Sequence, residues 1–423
     1  MKKNYLLLLF VALTSLGVAQ TTVFTQAVDG NWSTAGNWSA GLPTSSSIAV
    51  LNANAVLNLD ATVKELRVSD FSLTGTKTLT CNVNIASHNS NAINMNGGSS
   101  FEIGVPLVIN NSLGGRTKIR CNGASPQTIT FNASSSLKVV TTGELAPGSG
   151  NTINMNGALL GSDVLRLDDV VNFGGTSDNS AFTGSIQLLQ PANVTVNSTT
   201  SGGFLPALAG KLQVNGNATV TLNTPDVLRN LINFGNAKTL TLNVNAPQPS
   251  IGPVAFVGSG TFNLVIDAAV PNVSFAISNE DLAPDDDLQW NTGVLNITGF
   301  VPGVIRFGTD NTGLTTSQLA AITADGVGAG EALGLDTSGY LVLASTLSYD
   351  DNMVEKYTRI SFPFIVDTEV SFSKTVEEVK VINVNGQIVG AKSNATNLDV
   401  SRLKTGLYFL KFKNGRVERF VKK

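Results

Sequence analysis

The chain has 423 residues, enough for more than one domain, of which 42% are hydrophobic and only 13% charged. The charged fraction is about half of the ~25% usual in soluble globular proteins, while the apolar content is too high for a disordered chain. A formal net charge of -3 gives no electrostatic basis for binding nucleic acid.

Residues 1–19 have the features of a secretory signal peptide. Lys2 and Lys3 provide the positively charged start, and Tyr5–Leu13 is an apolar core too short to span a bilayer comfortably. Small residues precede Gln20 at the positions where a signal peptidase requires them. We therefore expect an exported mature chain, and a retained membrane anchor is the alternative.

Two tryptophans stand near the start of the expected mature chain. Residues 30–44 are GNWSTAGNWSAGLPT, which includes Trp32 and Trp38. Their simplest role is to cap one end of the fold. The alternative is a platform for sugar rings, because aromatic side chains offer a large apolar face and a polar edge. Under this alternative, Trp32 and Trp38 are the glycan contacts.

Short repeated phrases run through the middle of the chain. Four of them alternate threonine with apolar residues and end in asparagine, at 78–82, 128–132, 219–223 and 239–243. Alternation with period two puts the apolar side chains on one face of a strand and the threonines on the other. Two other phrases recur, one at 93–97 and 153–157 and one at 171–174 and 232–235. The two closest threonine phrases start 20 residues apart, and the other two phrases recur after 60 and 61 residues. Offsets near multiples of 20 predict an all-β solenoid, a right-handed parallel β-helix with about 20 residues per coil.

Three further expectations concern local structure in this region. The asparagine at each strand end is expected to hydrogen bond to the turn backbone of adjacent coils. A flat β-sandwich would also show alternation and stays open as an alternative. The one helix candidate is 315–322, where a threonine precedes a short run of helix-favouring residues.

Cys81 and Cys121 are the only cysteines. Two thiols in a chain of this length cannot form a disulfide framework. Each occupies an apolar position before an asparagine, which predicts buried free thiols, and a single bridge between them is the alternative. His88 is the only histidine and lies in a polar turn sequence, so neither a Ser-His-Asp triad nor a histidine-rich metal site is predicted.

Acidic groups matter because β-helices often host polysaccharide lyases and hydrolases, which need carboxylates at fixed separations. The tight groups are Asp168-Asp169 and Asp285–Asp287. Adjacent strand residues point to opposite faces, so only one of the first pair can face a shared site. The second group lies in a loop sequence with oxygen ligands for Ca²⁺, but it lacks a calcium-binding pattern.

Basic residues line one strand face at Arg116, Lys118 and Arg120, and no acidic group recurs with them in the sequence. We therefore predict no catalytic, cofactor-binding or metal-binding residue and no cofactor. Threonine pairs in the four repeated phrases give a minor alternative, ice binding, because a stacked Thr-x-Thr array can order water. The phrases are irregularly spaced along the chain, so the pairs need not stack on one face.

The charge changes sign towards the C-terminus. Residues 20–345 contain 12 Lys/Arg against 21 Asp/Glu, whereas 346–423 contain 13 against 9. This change predicts a domain junction, with a β-helix passenger at 20–345, a linker at 346–356 and a second domain at 357–423. In the second domain, an alternating segment followed by Asn385-Gly386 predicts a hairpin.

Two resemblances follow from these motifs. The tryptophan motif at 30–44 and the closing stretch at 305–342 resemble the two ends of secreted and autotransporter-type β-helix passengers. That resemblance implies a display scaffold whose ends are not catalytic. In the second domain, the succession G-x-I-V, L-x-x-G-x-Y-x-L and a final lysine resembles the type A sorting domain of the type IX (Por) secretion system of Bacteroidetes. The residues that carry it are Gly386, Leu403, Gly406, Tyr408, Lys422 and Lys423.

The second resemblance implies a small antiparallel β-sandwich that the type IX secretion machinery recognises. Such a domain is usually cleaved, and the cargo is attached to surface lipopolysaccharide. The usual Y-P-N-P opening appears here as Tyr357-Thr-Arg-Ile360, which leaves the start of the domain open. We expect a protein that passes through the periplasm and is secreted or held at the outer-membrane surface. Its expected role is adhesion or contact with matrix or glycans, and a β-helix polysaccharide lyase or hydrolase is the alternative.

Overall fold

The computed structural model describes residues 19–84, 90–123, 126–175, 178–200, 202–206, 210–278, 290, 292–328, 331–344, 365–413 and 417–423, without the side chains of 373 and 374. Nearly all of the predicted signal peptide, His88, Asp285–Asp287 and the predicted linker lie outside these residues. The chain divides into two compact units after Ala344, and each unit has its own hydrophobic core.

The first unit consists of short strands, with a 3₁₀ helix at Ala35–Asn37 and one short α-helix, α1, at Thr316–Ala320, among its described residues. In chain order the strands are β1 Thr21–Phe24, β2 Ile48–Leu51, β3 Ala55–Leu57, β4 Ala61–Val63, β5 Glu65–Val68, β6 Ser72–Gly75, β7 Leu79–Val83, β8 Ser90–Met95, β9 Ser100–Gly104, β10 Pro106–Asn111, β11 Thr117–Cys121, β12 Thr128–Phe131, β13 Ser136–Val139, β14 Gly143–Ala146, β15 Thr152–Met155, β16 Ala158–Gly161, β17 Leu165–Leu167, β18 Val170–Phe173, β19 Ile186–Leu188, β20 Asn193–Val196, β21 Leu212–Val214, β22 Ala218–Leu222, β23 Ile232–Phe234, β24 Thr239–Val244, β25 Gln248–Ile251, β26 Val254–Phe256, β27 Thr261–Ile266, β28 Val273–Phe275, β29 Val294–Thr298, β30 Ile305–Phe307, β31 Ile322–Ala324, β32 Leu333–Leu335 and β33 Leu341–Leu343.

Three parallel sheets contain most of these strands. Sheet A has 11 strands in the order β1-β2-β5-β8-β11-β14-β17-β19-β21-β23-β26, and sheet B has 12 in the order β3-β6-β9-β12-β15-β18-β20-β22-β24-β27-β29-β31. Sheet C has five, β16-β13-β10-β7-β4, while β25, β28 and β30 form a smaller sheet and β32 pairs antiparallel with β33. From β4 to β18 the chain visits sheets C, A and B in turn. This path confirms the predicted β-solenoid and excludes the flat sandwich for the first unit.

Coil length is the point at which the sequence prediction falls short. The solenoid has about 11 turns with about 26-residue spacing, longer than predicted. The number of residues from one coil to the next varies along the chain. Ile48 pairs with the nearby Glu65, whereas Thr261 pairs with the much later Val294. Steps close to the predicted length occur in the second half of sheet A, for example from Leu212 to Ile232. The prediction therefore describes only the shorter coils, since the turns between strands vary in length.

The interior of the solenoid is apolar because alternate residues of each strand point inwards. Aromatic rings form a continuous run near the C-terminal end of the stack. Phe234 stacks on Phe256 with ring centroids 4.4 Å apart and lies 5.4 Å from Phe262, and Phe256 lies 5.4 Å from Trp290. Each ring packs on a ring of a neighbouring coil, so no coil in this run buries its apolar face alone.

Asparagine ladders link neighbouring coils on the outside. Asn223 donates from Nδ2 to Oδ1 of Asn197 (2.8 Å), and Asn245 donates in the same way to Asn223 (2.7 Å). Asn172 donates likewise to Asn154 (2.9 Å). The predicted ladders are therefore present, but these amides bond to each other rather than to the turn backbone.

Both cysteines are free and buried. Cys81 lies in sheet C and Cys121 in sheet A, and burial raises the pKa of each thiol, that of Cys121 to about 12. The prediction of buried free thiols is confirmed, and the single bridge is not formed.

Helix α1 lies near the C-terminal end of the described part of the solenoid. Gln318 N donates to Thr315 Oγ1 (3.3 Å) and Thr315 N donates to Gln318 Oε1 (2.7 Å), a reciprocal cap that explains why the helix begins there. The predicted helix at 315–322 is confirmed, although strand β31 already begins at Ile322. No helix among the described residues is long and apolar enough to cross a membrane.

The second unit is a β domain with one five-stranded sheet in its described part. Its strands are β34 Ile365–Val366, β35 Glu369–Asn383, β36 Ile388–Asp399, β37 Gly406–Phe412 and β38 Val417–Lys422, in the order β34-β38-β37-β35-β36. All neighbours are antiparallel except β34 and β38. The hairpin predicted at Asn385-Gly386 joins β35 to β36, and the core of this unit includes Val379, Leu410 and Phe420.

Removing one ring from the aromatic run tests the packing of the solenoid. Phe234→Ala should lower the free energy of unfolding by about 3–5 kcal/mol, because a fully buried ring leaves a cavity between coils. Phe234→Leu, which keeps most of the apolar volume, should lower it less. Urea denaturation of the exported protein, followed by circular dichroism, measures both. Equal losses for the two variants would contradict the proposed stacking contribution.

Candidate functional site

The predicted glycan contacts Trp32 and Trp38 are buried, with exposed fractions of 1% and 5%. Their ring centroids are 4.6 Å apart, and Trp38 Nε1 donates to the Trp32 carbonyl (2.8 Å). Phe24 packs against Trp38 at 5.1 Å. The two rings therefore form the core of the first coil, as expected of an end cap, and neither offers an exposed face on which a sugar could stack.

Asn37 explains why asparagine precedes the second tryptophan. Its side chain is fully buried; Oδ1 accepts from the backbone N–H groups of Val28 (2.8 Å) and Asp29 (3.1 Å). Its Nδ2 donates to the Asn31 carbonyl (2.8 Å) and to Asp29 Oδ1 (2.8 Å). The motif thus builds a closed hydrogen-bond network that fixes the N-terminal loop, which is a structural role.

A group of charged side chains covers the outward face of sheet A between β5 and β17. We call it the charged floor, and it consists of Glu65, Arg67, Arg116, Lys118, Arg120, Glu144, Arg166 and Asp168. Five of these residues are basic and three acidic, although the 20–345 segment as a whole has 12 basic against 21 acidic residues. The floor is therefore a local surplus of positive charge on an acidic unit.

Glu144 lies at the centre of the charged floor. In sheet A it pairs with Lys118 on one side and Arg166 on the other. Its carboxylate is 2.7 Å from Lys118 Nζ, 3.3 Å from Arg116 Nη1 and 3.8 Å from Arg166 Nε, and the side chain is only 2% exposed. A buried carboxylate is tolerated only with partners of opposite charge, and here three cations surround a single carboxylate.

This cluster overturns the expectation that no acidic group accompanies Arg116, Lys118 and Arg120. The acid was missed because it belongs to the next coil, in which Glu144 pairs with Lys118. A coil of the predicted length would instead have placed Lys138 opposite Lys118, and Lys138 lies in sheet C. The alternation of both strands was visible in the sequence, but the turn length that decides the register was not.

Asp168 joins the floor at the end of β17. Burial raises the pKa of its carboxyl group, and the negative charges of Asp169 and Glu144 raise it further. Burial also lowers the pKa of Arg166, with the charge of Arg116 acting in the same direction. Asp169 follows the strand and has a positive φ of 50°.

Several polar atoms in or beside the floor have no hydrogen-bond partner within the described part of the chain. They are Oδ1 of Asn91, Oδ1 of Asn94 and Nε of Arg166, all buried. Asn91 pairs with Lys118, and Asn94 pairs with Arg67 and Arg120. Buried polar atoms are nearly always bonded, so each of these groups has a place for an ordered water molecule.

The described residues bring together no group of three His, Cys, Asp or Glu side chains that could hold a metal ion.

The sorting motif residues lie in the second unit, where most of them stabilise the sheet. Gly386 has a φ of +80° in the turn between β35 and β36, and Leu403 packs against the core. Tyr408 stacks on Phe420 at 5.6 Å and donates from its hydroxyl to the Lys404 carbonyl (2.9 Å).

The end of the chain is held in the same sheet. Lys422 is 6% exposed and its Nζ lies 3.2 Å from Asp367 Oδ1, while Lys423 N donates to the Val366 carbonyl (2.9 Å). Gly406 begins β37 and pairs with Lys422. The basic C-terminus is thus part of the folded domain.

Residues 363–423 match the family model of the secretion system C-terminal sorting domain. Together with the solenoid, this match identifies a secreted β-helix protein with a type IX sorting tail. The tail implies interaction with the type IX secretion machinery and a location outside the cell or on its surface. Comparison with curated proteins and with solved structures gives no match. The function of the passenger therefore has to be argued from its own surfaces.

Replacing the central acid tests the structure of the charged floor. Glu144→Gln leaves three cations crowded around a neutral amide, and we expect the free energy of unfolding to fall by about 3 kcal/mol. Glu65→Gln is the matched control, because Glu65 forms its ion pair with Arg67, whose side chain is 38% exposed. This variant should lower the free energy of unfolding by less than about 1 kcal/mol. Urea denaturation measures both, and similar losses would contradict the central role of Glu144.

Proposed function

We propose that the exported protein acts in adhesion and that the charged floor binds an acidic glycan. The observation that carries this proposal is the surplus of cations around Glu144 on an otherwise acidic unit. Carboxylate and sulfate groups of acidic polysaccharides match guanidinium groups, which form paired, charge-assisted hydrogen bonds. The acidic remainder of the passenger would repel such a chain elsewhere and so direct it to the floor.

The row of cations along the solenoid axis supports a polymeric ligand. Arg67, Arg120 and Arg166 lie on β5, β11 and β17, which are spread over four strand-to-strand steps of sheet A. At about 4.8 Å per step, the cations extend over roughly 20 Å along the solenoid. A linear polysaccharide lying along this axis would contact each of them in turn.

A β-helix polysaccharide lyase or hydrolase is the second candidate. It is favoured by Asp168, a half-buried carboxyl group with a raised pKa beside the cations of the floor. A carboxyl group of this kind can donate a proton at a pH where ordinary aspartates are ionised. Against it, Glu144 already has three ion-pair partners and cannot serve as a free second carboxylate at the centre of the floor.

We further propose the details of the export route. The signal peptide at residues 1–19 would direct the chain to the periplasm of a Bacteroidetes cell, and a type A sorting domain would then direct it across the outer membrane. Attachment to surface lipopolysaccharide after loss of the tail is part of the same proposal. The motif residues would act by building the fold that the secretion machinery binds, which is supported by their contacts within the sheet. They are Gly386, Leu403, Gly406, Tyr408, Lys422 and Lys423.

Glycan binding is tested with the whole exported protein. We expect it to retain polygalacturonate, alginate and chondroitin sulfate more strongly than neutral dextran, with affinity falling as salt rises. Arg120→Gln should weaken binding by about tenfold to 150-fold, since one charge-assisted contact contributes about 1.5–3 kcal/mol. The matched control is Lys138→Gln, the same loss of charge on sheet C.

The outcomes separate the two candidates. Equal binding of neutral and acidic glycans, or equal effects of the two variants, would contradict the proposed site. Release of new chain ends from any acidic glycan would favour the enzyme, and loss of that release in Asp168→Asn would identify its acid.

The export route is tested by shortening the chain. A protein that ends at Ser345 lacks the second unit and should remain in the periplasm, because the secretion machinery has no sorting domain to bind. Fractionation followed by immunoblotting measures its location, and protease resistance of the retained passenger shows that it is folded. A shortened protein that still reached the medium or the cell surface would contradict the assignment.

A further inference from the structure

The outward face of sheet B from β12 to β31 differs sharply from the charged floor. Its outward side chains are threonine, asparagine and valine, and none of these strands points a charged or aromatic side chain outwards. We call this surface the neutral face. All its strand pairs are parallel, and their registers run from β12 to β31 without a bulge. It is therefore a regular two-dimensional array of small neutral side chains.

Threonines concentrate at the centre of this face. Thr219 lies opposite Thr241, Thr221 lies opposite Thr195, and Thr239 lies opposite Thr261. These residues, which we call the threonine block, occupy the adjacent strands β20, β22, β24 and β27. The irregular spacing of Thr-x-Thr in the sequence concealed this block, because coils of unequal length still bring their threonines into register.

The threonine block is a small array of paired threonines. Neighbouring strands are about 4.8 Å apart and residues two apart on one strand about 6.7 Å, so each threonine faces another across the strands, and β22 and β24 each carry two in succession. Threonine is stiff at its first side-chain torsion, so the array loses little freedom when it binds. The hydroxyl groups of Thr195, Thr219 and Thr261 have no protein hydrogen-bond partner within the described residues and can bond to water.

The asparagines around the block have a different role. Asn243 donates to Thr221 (3.1 Å), Asn263 to Thr241 (3.5 Å) and Asn296 to Asn263 (2.9 Å). These bonds hold neighbouring strands in place and orient the threonines from the side. They explain the asparagines as parts of the scaffold, but they do not explain why the whole face lacks charge.

The composition of the neutral face restricts what can bind there. Without charge it cannot select an anionic chain, and without aromatic rings it lacks the groups that stack on sugars. A rigid, neutral and periodic surface is instead complementary to a rigid, neutral and periodic partner. We propose that the neutral face binds ice, with threonine hydroxyl groups bonded to ordered water and methyl groups seated between the water molecules. This activity is separate from glycan binding, because it uses a different sheet.

The test uses the whole exported protein and single ice crystals. We expect measurable thermal hysteresis and faceted crystal growth, and fluorescently labelled protein should coat particular planes of a growing ice hemisphere. Thr241→Lys places a charged, bulky side chain at the centre of the block and should abolish most of the hysteresis. Thr80→Lys is the matched control, because Thr80 is a similarly half-buried outward residue of β7 in sheet C; it should leave the hysteresis unchanged.

Thermal melting of both variants shows whether each remains folded. A milder variant, Thr241→Val, keeps the shape and should lose only part of the hysteresis, so the result does not depend on a misfolded protein. Absence of hysteresis in the unaltered protein would overturn the proposal, as would equal hysteresis in Thr241→Lys. Concentration-dependent dimers that Thr241→Lys disrupts, seen by analytical ultracentrifugation without any ice shaping, would show that a second copy covers this face and would also overturn it.

Discussion

Parallel pairing of each strand with its counterpart in the next coil is the constraint on which the first unit depends. The backbone bonds run from coil to coil, and the alternation of each strand sends one set of side chains into the interior and the other outwards. The same pairing that packs Phe234 on Phe256 inside therefore places Glu144 between Lys118 and Arg166 outside. The packing of the core and the alignment of the surface groups therefore both follow from the same strand register.

This constraint explains what could be predicted from the sequence. The alternating threonine phrases predicted a stacked β-solenoid, because period two and repetition are local properties of the chain. The charge balance and the final motifs predicted a separate basic C-terminal domain, whose residues 363–423 match a sorting-domain family. The helix at α1 was also visible, since its cap depends only on residues a few positions apart.

The positions of the surface groups could not be predicted in the same way. Which residue lies opposite Lys118 depends on the length of the intervening turns, and turn length varies from coil to coil without a clear sequence signal. The charged floor and the threonine block therefore emerged only from the structure. Trp32 and Trp38 show a different case: the sequence predicted an end cap and left a sugar platform as the alternative, and burial of both rings in the first coil agrees with the cap.

The burial of the two thiols has a consequence for the protein after export. A thiol reacts with oxidants and disulfides mainly as the thiolate, and burial of Cys81 and Cys121 disfavours that form. Because the two residues lie in different sheets and neither is bridged, the folded passenger is covalently the same in reducing and oxidising surroundings. The fold of the passenger therefore does not depend on disulfide formation after export.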